Sequence, residues 1–341
     1  MDGRHKERAP RGRLGAAWKG LVPVGVATAA ALVIGGGMDV VHRHRIAEET
    51  EHAAKPAAKK QRTEPRFVVG VRTPGTAVVV RDVRTGEDVR LPVAASNGRR
   101  FQRIASAGER SYIVASSAAR KVTFQRLKLE KDGRPKELSE LPKATVAGAS
   151  TAWSDLAVTP DGKTLAYVTY RGARARVDVV SLSGGARKTW TTRAAGRVGS
   201  LSWAGGRLSF VWTPYRRVNG RATALGHQVR VIDTAAVPSG DLKASKPVLK
   251  LPRGSGVAVI SKDGRTVVTG VPQRTQIAFQ AYSTETGRPT KVLWRQNAAG
   301  SLARLVPDRT GGHLLASVSD GHLYAQGTRA LPGKDLADAA W

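Results

Sequence analysis

The feature that most constrains this chain is self-similarity at a period of about 45 residues, because a repeat of that length decides the architecture before any single motif is weighed. The segments LAVTPDGKTLAYVTY (156 to 170), VAVISKDGRTVVTGV (257 to 271) and ARLVPDRTGGHLLASV (303 to 318) share one pattern of apolar run, tight turn and second apolar run. SLSWAGGRLSFVW (200 to 212) is a fourth copy that turns at Gly205 and Gly206, and FQRIASAGERSYIVASS (101 to 117) is a fifth that turns at Ala107 and Gly108. Short runs of this kind, rich in Val, Ala, Leu, Thr and aromatics and broken by Gly, Pro or Asp-Gly roughly every ten residues, read as strands joined by hairpins.

A third run and a further glycine turn follow the copies, as in RVDVVSLSGGARKTW, IAFQAYSTETGRPTKVLW and VTFQRLKLEKDGRPKEL. Four strands per period make one propeller blade, so the expected fold is all-β, a β-propeller of about six four-stranded blades. LADAAW, the last residues of the sequence, resembles the first-strand segment GSLSW (199 to 203), whereas the domain opens on FVVGV, AVVVRDV and VRLPV with no first strand of its own. The two ends are expected to complete one blade together, which removes open edges and makes Trp341 a packed residue. The pattern PDGKTLAYV followed by VDVVSLSGGARKTW resembles the repeats of TolB-type propellers, relatives of the WD-repeat proteins, although the WD dipeptide itself is missing. The resemblance spans residues 66–341, is clearest over 153–192, and implies a propeller architecture.

Ahead of the repeats the texture differs. Leu21 to Met38 carries no charge, a length of about 18 residues that is near the lower limit for crossing a bilayer. Arg4, Lys6, Arg8, Arg11, Arg13 and Lys19 precede it, and Trp18 stands at its entry, where an indole suits the interface. The positive-inside rule then divides the chain into a basic cytoplasmic tail (1–20), one transmembrane helix (21–41), a polar tether (42–65) and an extracytoplasmic propeller (66–341). A cleaved secretory signal has the same basic start and apolar middle, but no small-x-small cleavage site follows the run.

The chain has no cysteine, which excludes disulfides, thiolate metal sites and thiol nucleophiles. His227, His313 and His322 are the only histidines of the repeat region and lack zinc-ligand spacing. Neither a nucleophile elbow nor a phosphate-binding glycine loop occurs, so no catalytic, metal or cofactor residue is assigned. Asp161-Gly162 and Asp263-Gly264 read as the tips of two-residue hairpins, demanded by turn geometry. Trp153, Trp190, Trp203, Trp212, Trp294 and Trp341 recur near strand ends, as blade-packing residues do, with a carbohydrate-stacking platform as the alternative.

The formal charge of +30 attracts anionic matter such as nucleic acid, anionic lipid or a wall polymer like teichoic acid; GC-rich coding, in the style of high-GC Gram-positive bacteria, is the compositional alternative. In a meandering blade the turns sort by face. Those on one face hold Glu87, Asp88, Glu109, Asp132, Asp161, Asp263, Glu285 and Asp308 among basic neighbours, while the opposite face gathers arginines with hardly any acid. The longest insertion, 213 to 228, falls on that basic face. Tyr215, Arg216, Arg217 and Arg221 within it, with Arg171, Arg174, Arg176 and Arg274 nearby, are the candidate binding residues. The tether enters on the mixed-charge face, so the basic face is expected to look away from the membrane. The resulting expectation is a membrane-anchored binding or scaffold module for an anionic envelope polymer or a partner protein. An envelope hydrolase or lyase is the alternative; it would need a cluster of polar groups with perturbed pKa near the axis, and none is visible in the sequence. Nucleic acid is disfavoured by the expected location and by the scarcity of stacking aromatics on that face.

Overall fold

Three of the repeats fold around a turn whose residues hold the same hydrogen-bond frame. In the third blade Thr159 N–H donates to Thr164 O (2.9 Å) and Gly162 N–H to Thr159 O (2.8 Å). The same frame recurs over 261–266 (2.7 and 2.9 Å) and 308–313 (2.8 and 3.0 Å). Asp161 and Asp263 accept the N–H two residues on, at 3.1 and 3.0 Å. Gly162, Gly264 and Gly311 sit at φ 68°, 73° and 73°, where a side chain would be strained. The Asp-Gly pairs are therefore structural, but the two-residue hairpin expected from the sequence is too narrow. The closing pair Thr159 and Thr164 leaves Pro160 to Lys163 in the loop, because the threonine hydroxyl and aspartate carboxylate cap a wider turn (2.6 Å).

A computed structural model describes residues 65–326 and 330–341. The segments expected to form a basic tail, a transmembrane helix and a tether, up to residue 64, lie outside the described residues. Among those described, no helix is long and apolar enough to cross a membrane.

Six sheets form, each meandering outward from the axis. The second blade is Arg100–Gly108, Ser111–Ala118, Lys121–Leu129 and Pro135–Ala147; the third is Leu156–Val158, Thr164–Arg171, Arg174–Ser181 and Arg187–Thr191. The fourth is Gly196–Ala204, Arg207–Val218, Gln228–Asp233 and Lys246–Lys250. The fifth is Ala258–Ile260, Thr266–Pro272, Gln276–Ser283 and Pro289–Asn297, and the sixth Leu302–Pro307, Leu314–Val318, His322–Ala325 and Leu331–Pro332. The first blade takes its innermost strand, Leu336–Ala340, from the other end of the domain; Phe67–Arg72, Ala77–Asp82 and Val93–Ala94 complete it. The expected closure is thus present, with Val69 opposite Ala340 and Gly70 opposite Ala339. The VRLPV run contributes less than expected, a strand of only Val93–Ala94.

The apolar core is divided among the clefts between successive blades. Phe124 meets Tyr167 edge-on at 5.4 Å between the second and third blades. Trp190 and Trp203 share the next cleft, and Trp341 packs with Val68, Leu315 and Leu323 where the ring closes. One element has no counterpart in the repeat. The connection after Asp233 crosses to the third blade, pairs Gly240 parallel to Trp190, buries Leu242 and accepts the Trp190 Nε1–H on Pro238 O (2.8 Å). It covers an outer edge that would otherwise be open to pairing.

Trp341 is 3% exposed, and truncating such a core tryptophan costs about 3–5 kcal/mol. Trp341→Ala is expected to lower the free energy of urea unfolding by that amount; a change below about 1 kcal/mol, the scale of an ordinary surface substitution, would mean that the seam does not hold the ring.

Candidate functional site

The meander places the turns between second and third strands, and the connections between blades, on one face. Candidate binding residues emerge there from three consecutive blades. Arg171 and Arg174 flank the Gly172 turn of the third blade, Arg274 lies in the turn of the fifth, and all three are exposed. Between them the 213–228 segment is not a loop. The second strand of the fourth blade continues to Val218, turns at Asn219 (φ 49°) and Gly220 (φ 76°), and returns as Arg221–Ala224. Two successive positive φ values define the type I′ turn for which Asn-Gly is preferred. Arg216, Arg217 and Arg221 are exposed on this ribbon, Tyr215 is half-buried at its base, and Val218 and Leu225 are exposed apolar neighbours.

Arg176 does not join them. It lies within a strand, where its guanidinium holds the fully buried Asp178 through two bonds (2.9 and 2.8 Å), so its charge is spent inside the blade. Arg99 and Arg193 on the same face are likewise paired, with Glu140 (2.9 Å) and Asp241 (2.7 Å).

A second constellation lies on the axis. The innermost strands, which Asp155 and Val257 immediately precede, bring Arg103, Asp155, Ser200, Val257, Arg304 and Asp338 to one equivalent position, each followed by the residue that begins the apolar packing. Asp338 Oδ2 accepts the Ile104 N–H of the second blade (2.8 Å), and Asp155 Oδ2 accepts the Leu201 N–H of the fourth (2.8 Å). Arg304 of the sixth blade crosses the axis: it donates to Asp338 of the first and, at 3.2 Å, to Asp155 of the third. Arg103 donates to the carbonyls of Ala152 and Ser154. Register shifts beside Arg103, Ser200, Arg304 and Asp338 mark β-bulges, the device by which a strand re-aims a side chain. Burial pushes the Asp338 carboxyl above the ordinary aspartate range, against the pull of Arg304 and Arg103. Burial works against the Arg304 charge, but Asp338 and Asp155 more than offset it and hold the guanidinium protonated.

A cavity of about 560 Å³ surrounds this cluster, within the range of small-molecule sites. Toward the basic face its wall includes Trp153, Arg197, Gly199, Thr213 and His227. Thr213 Oγ1 lies 2.7 Å from His227 Nδ1. Burial, and then the charge of Arg197, holds this imidazole below the ordinary histidine range, so it is neutral at pH 7. Trp153 departs from the packing role expected of the tryptophans: it is 54% exposed and meets Tyr170 edge-on at 6.2 Å.

The chain resembles known structures in fold. It superposes on TolB from Acinetobacter baumannii with a TM-score of 0.51 and 15% identity over 81% of this chain, and spans about 65% of the length of that one. A putative 6-phosphogluconolactonase from Bacteroides uniformis aligns over 76% of this chain and 90% of its own, at 14% identity and a TM-score of 0.43. An apocarotenoid oxygenase of Synechocystis aligns over 77% and 66%, at 14% identity and a TM-score of 0.43. No family model matches the chain, and no curated protein matches it. The TolB likeness supports the propeller architecture expected from the repeats.

A polar cluster therefore does stand at the axis, where none is visible in the sequence. The signal lay in aligning the first strands, where RIAS, DLAV, SLSW, RLVP and DAAW begin on Arg103, Asp155, Ser200, Arg304 and Asp338.

Arg304→Leu would strand two buried carboxylates, and breaking a buried pair from one side costs about 3–5 kcal/mol. Chemical unfolding should show that loss and its recovery, in large part, when Asp155→Asn and Asp338→Asn are added; no recovery would attribute the cost to packing alone. His227 should titrate below the free histidine range in NMR, and Arg197→Gln should raise its pKa while burial still keeps it depressed. An unmoved value would separate the two side chains electrostatically.

Proposed function

We propose that this propeller is a binding module whose arginine-rich face engages an anionic polymer of the cell envelope, with an acidic partner protein as the other ligand of the same chemistry. The observation that carries the reading is the Tyr215 to Ala224 ribbon. It lifts Arg216, Arg217 and Arg221 clear of the disc, with no ion pair to any described residue, between the exposed Arg171, Arg174 and Arg274 of the adjacent blades. On the opposite face Asp161, Asp263 and Asp308 stand in the turns among Lys163, Arg265 and Arg309, so the two signs offset each other. A rigid scaffold that concentrates one sign of charge on projecting elements steers anionic partners and fixes their orientation.

The membrane-anchored, extracytoplasmic placement belongs to the same proposal and rests on the charge-free run from Leu21 to Met38 and its basic flank. The described chain begins beside Trp341 on the mixed-charge face, where Arg66 O accepts the Val83 N–H (2.9 Å). A tether arriving there leaves the ribbon facing outward. The axial cluster favours a second reading, an envelope hydrolase or lyase, because burial has shifted a carboxyl that lines a cavity. Its charges, however, are engaged with one another and with backbone groups, which suits support of the blades better than proton transfer.

The full chain should bind isolated wall polymer saturably at low salt and lose affinity as salt rises, since exposed charges are screened within a Debye length of about 8–10 Å at physiological ionic strength. Arg216→Glu with Arg217→Glu should weaken it by about tenfold or more. Binding indifferent to the double change, or equal binding to any anionic vesicle, would overturn the reading.

A further inference from the structure

From the axial cavity we infer a second, smaller site: a pocket on the basic face that takes one acidic sugar unit, its anionic group on Arg197 and its ring against Trp153. The assignment deepens the anionic-polymer reading and rests on it, with the ribbon holding the polymer and the pocket one of its units.

Three independent observations converge on the pocket. The first is space. The cavity of about 560 Å³ accommodates a monosaccharide, and a Cβ added at Gly199 in its wall would meet nothing within 4 Å, so the approach past this strand is open.

The second is an unspent cation beside an exposed aromatic. Arg197 is exposed, lines the cavity, and makes no ion pair with any described residue, unlike Arg176, Arg193 and Arg304. Trp153 is the one tryptophan of the domain that is more than half exposed, and it lines the same mouth. An indole paired with a guanidinium offers an apolar ring face and a charge-assisted donor, the two features by which a protein holds an acidic pyranose.

The third is a mixed set of polar groups deeper in the cavity. Arg304 is paired with Asp155 and Asp338, and the Arg103 guanidinium is engaged by the carbonyls of Ala152 and Ser154, so two cations stand beside two carboxylates. What they present to a ligand is therefore a balanced set of donors and acceptors suited to hydroxyl groups, with no net charge to repel or trap an ion. His227, pinned by Thr213 through Nδ1, stands in the neutral state on the same wall and adds no second positive charge. The anionic preference thus falls on Arg197.

The experiment is calorimetric titration of the full chain with glucuronate, glucose 6-phosphate and glucose, repeated on Arg197→Gln, Trp153→Ala and the Arg216→Glu, Arg217→Glu pair. Glucuronate or glucose 6-phosphate should bind saturably and glucose much more weakly; which acid binds tighter distinguishes a carboxylated from a phosphorylated unit. Loss of a charge-assisted hydrogen bond should weaken the acid by about tenfold or more in Arg197→Gln, Trp153→Ala should weaken all three sugars, and the ribbon pair should change none. Arg197 and Trp153 are surface residues, and an unchanged thermal unfolding curve confirms that each variant is folded. No saturable binding of either acid, binding of glucose as tight as that of the acids, or binding untouched by Arg197→Gln would overturn the assignment. If wall polymer is still held through the ribbon in any of these cases, the pocket fails and the reading of the face survives. If the acids bind but the ribbon variants do not affect the polymer, the face fails instead.

Discussion

An innermost propeller strand has a neighbour on one side only, and its other edge turns unpaired N–H groups toward the axis. Buried and unanswered, each such group costs about as much as a lost hydrogen bond, so a ring of six strands needs acceptors there. The chain meets the need from a single position of its repeat. Asp338 answers Ile104, Asp155 answers Leu201, and Ser200 stands 3.4 Å from the Ala258 N–H. Each of these bonds runs from one blade to the next, so satisfying the edge also stitches the ring. Arg304 then pairs with two of the acceptors at once across the axis. Because it joins the sixth blade to the first and third, this guanidinium ties together sheets that share no hydrogen-bonded strands.

Much of the fold was legible in the sequence because its causes are local and repeated. The Asp-Gly turns, the alternation of Val and Ala, and the likeness of LADAAW to GSLSW each depend on a handful of consecutive residues, and they lead to six blades closed by Trp341. What escaped notice depends on partners far apart in the chain. Asp155 and Arg304 meet only because the ring has formed, and neither carries a signature alone. Their equivalence is also masked by the diversity of the column, in which Arg, Asp, Ser and Val serve one geometric position. Arg176 misled for the same reason: as a charge near a turn it reads as free, yet its partner Asp178 is two residues away on the same face of a strand. In sequence the ribbon resembles a loop, although Asn219-Gly220 between extended runs carries the hairpin signal, because the turn lies beyond the length of an ordinary blade strand.

Two ranges of electrostatics are separated in this molecule. The exposed arginines of the ribbon and its neighbours act at the range of a Debye length and respond to the sum of charge on a partner. Asp155, Asp338, Arg304 and Arg103 act at short range, in surroundings where an unpaired charge is costly, and two carboxylates there face two guanidiniums. Among the described residues the excess of positive charge therefore lies at the surface, while the axis is balanced. That division lets the outer charge vary without disturbing the bonds that close the ring.

The closing strand has a consequence for how the protein comes into being. Leu336–Ala340 supplies both the inner strand of the first blade and the carboxylate of Asp338, and its partners Phe67–Arg72 are made some 265 residues earlier. Until those late residues leave the ribosome, the earliest strands have no inner neighbour, and Arg304 lacks one of its two counter-ions. Pairing across so much intervening chain is slow, since loop closure must precede any gain from contact. A growing chain therefore lacks this seam until the closing strand has been made. The ring is in this sense an order of events as well as a shape: its seam can form only after the strands on both sides of it exist.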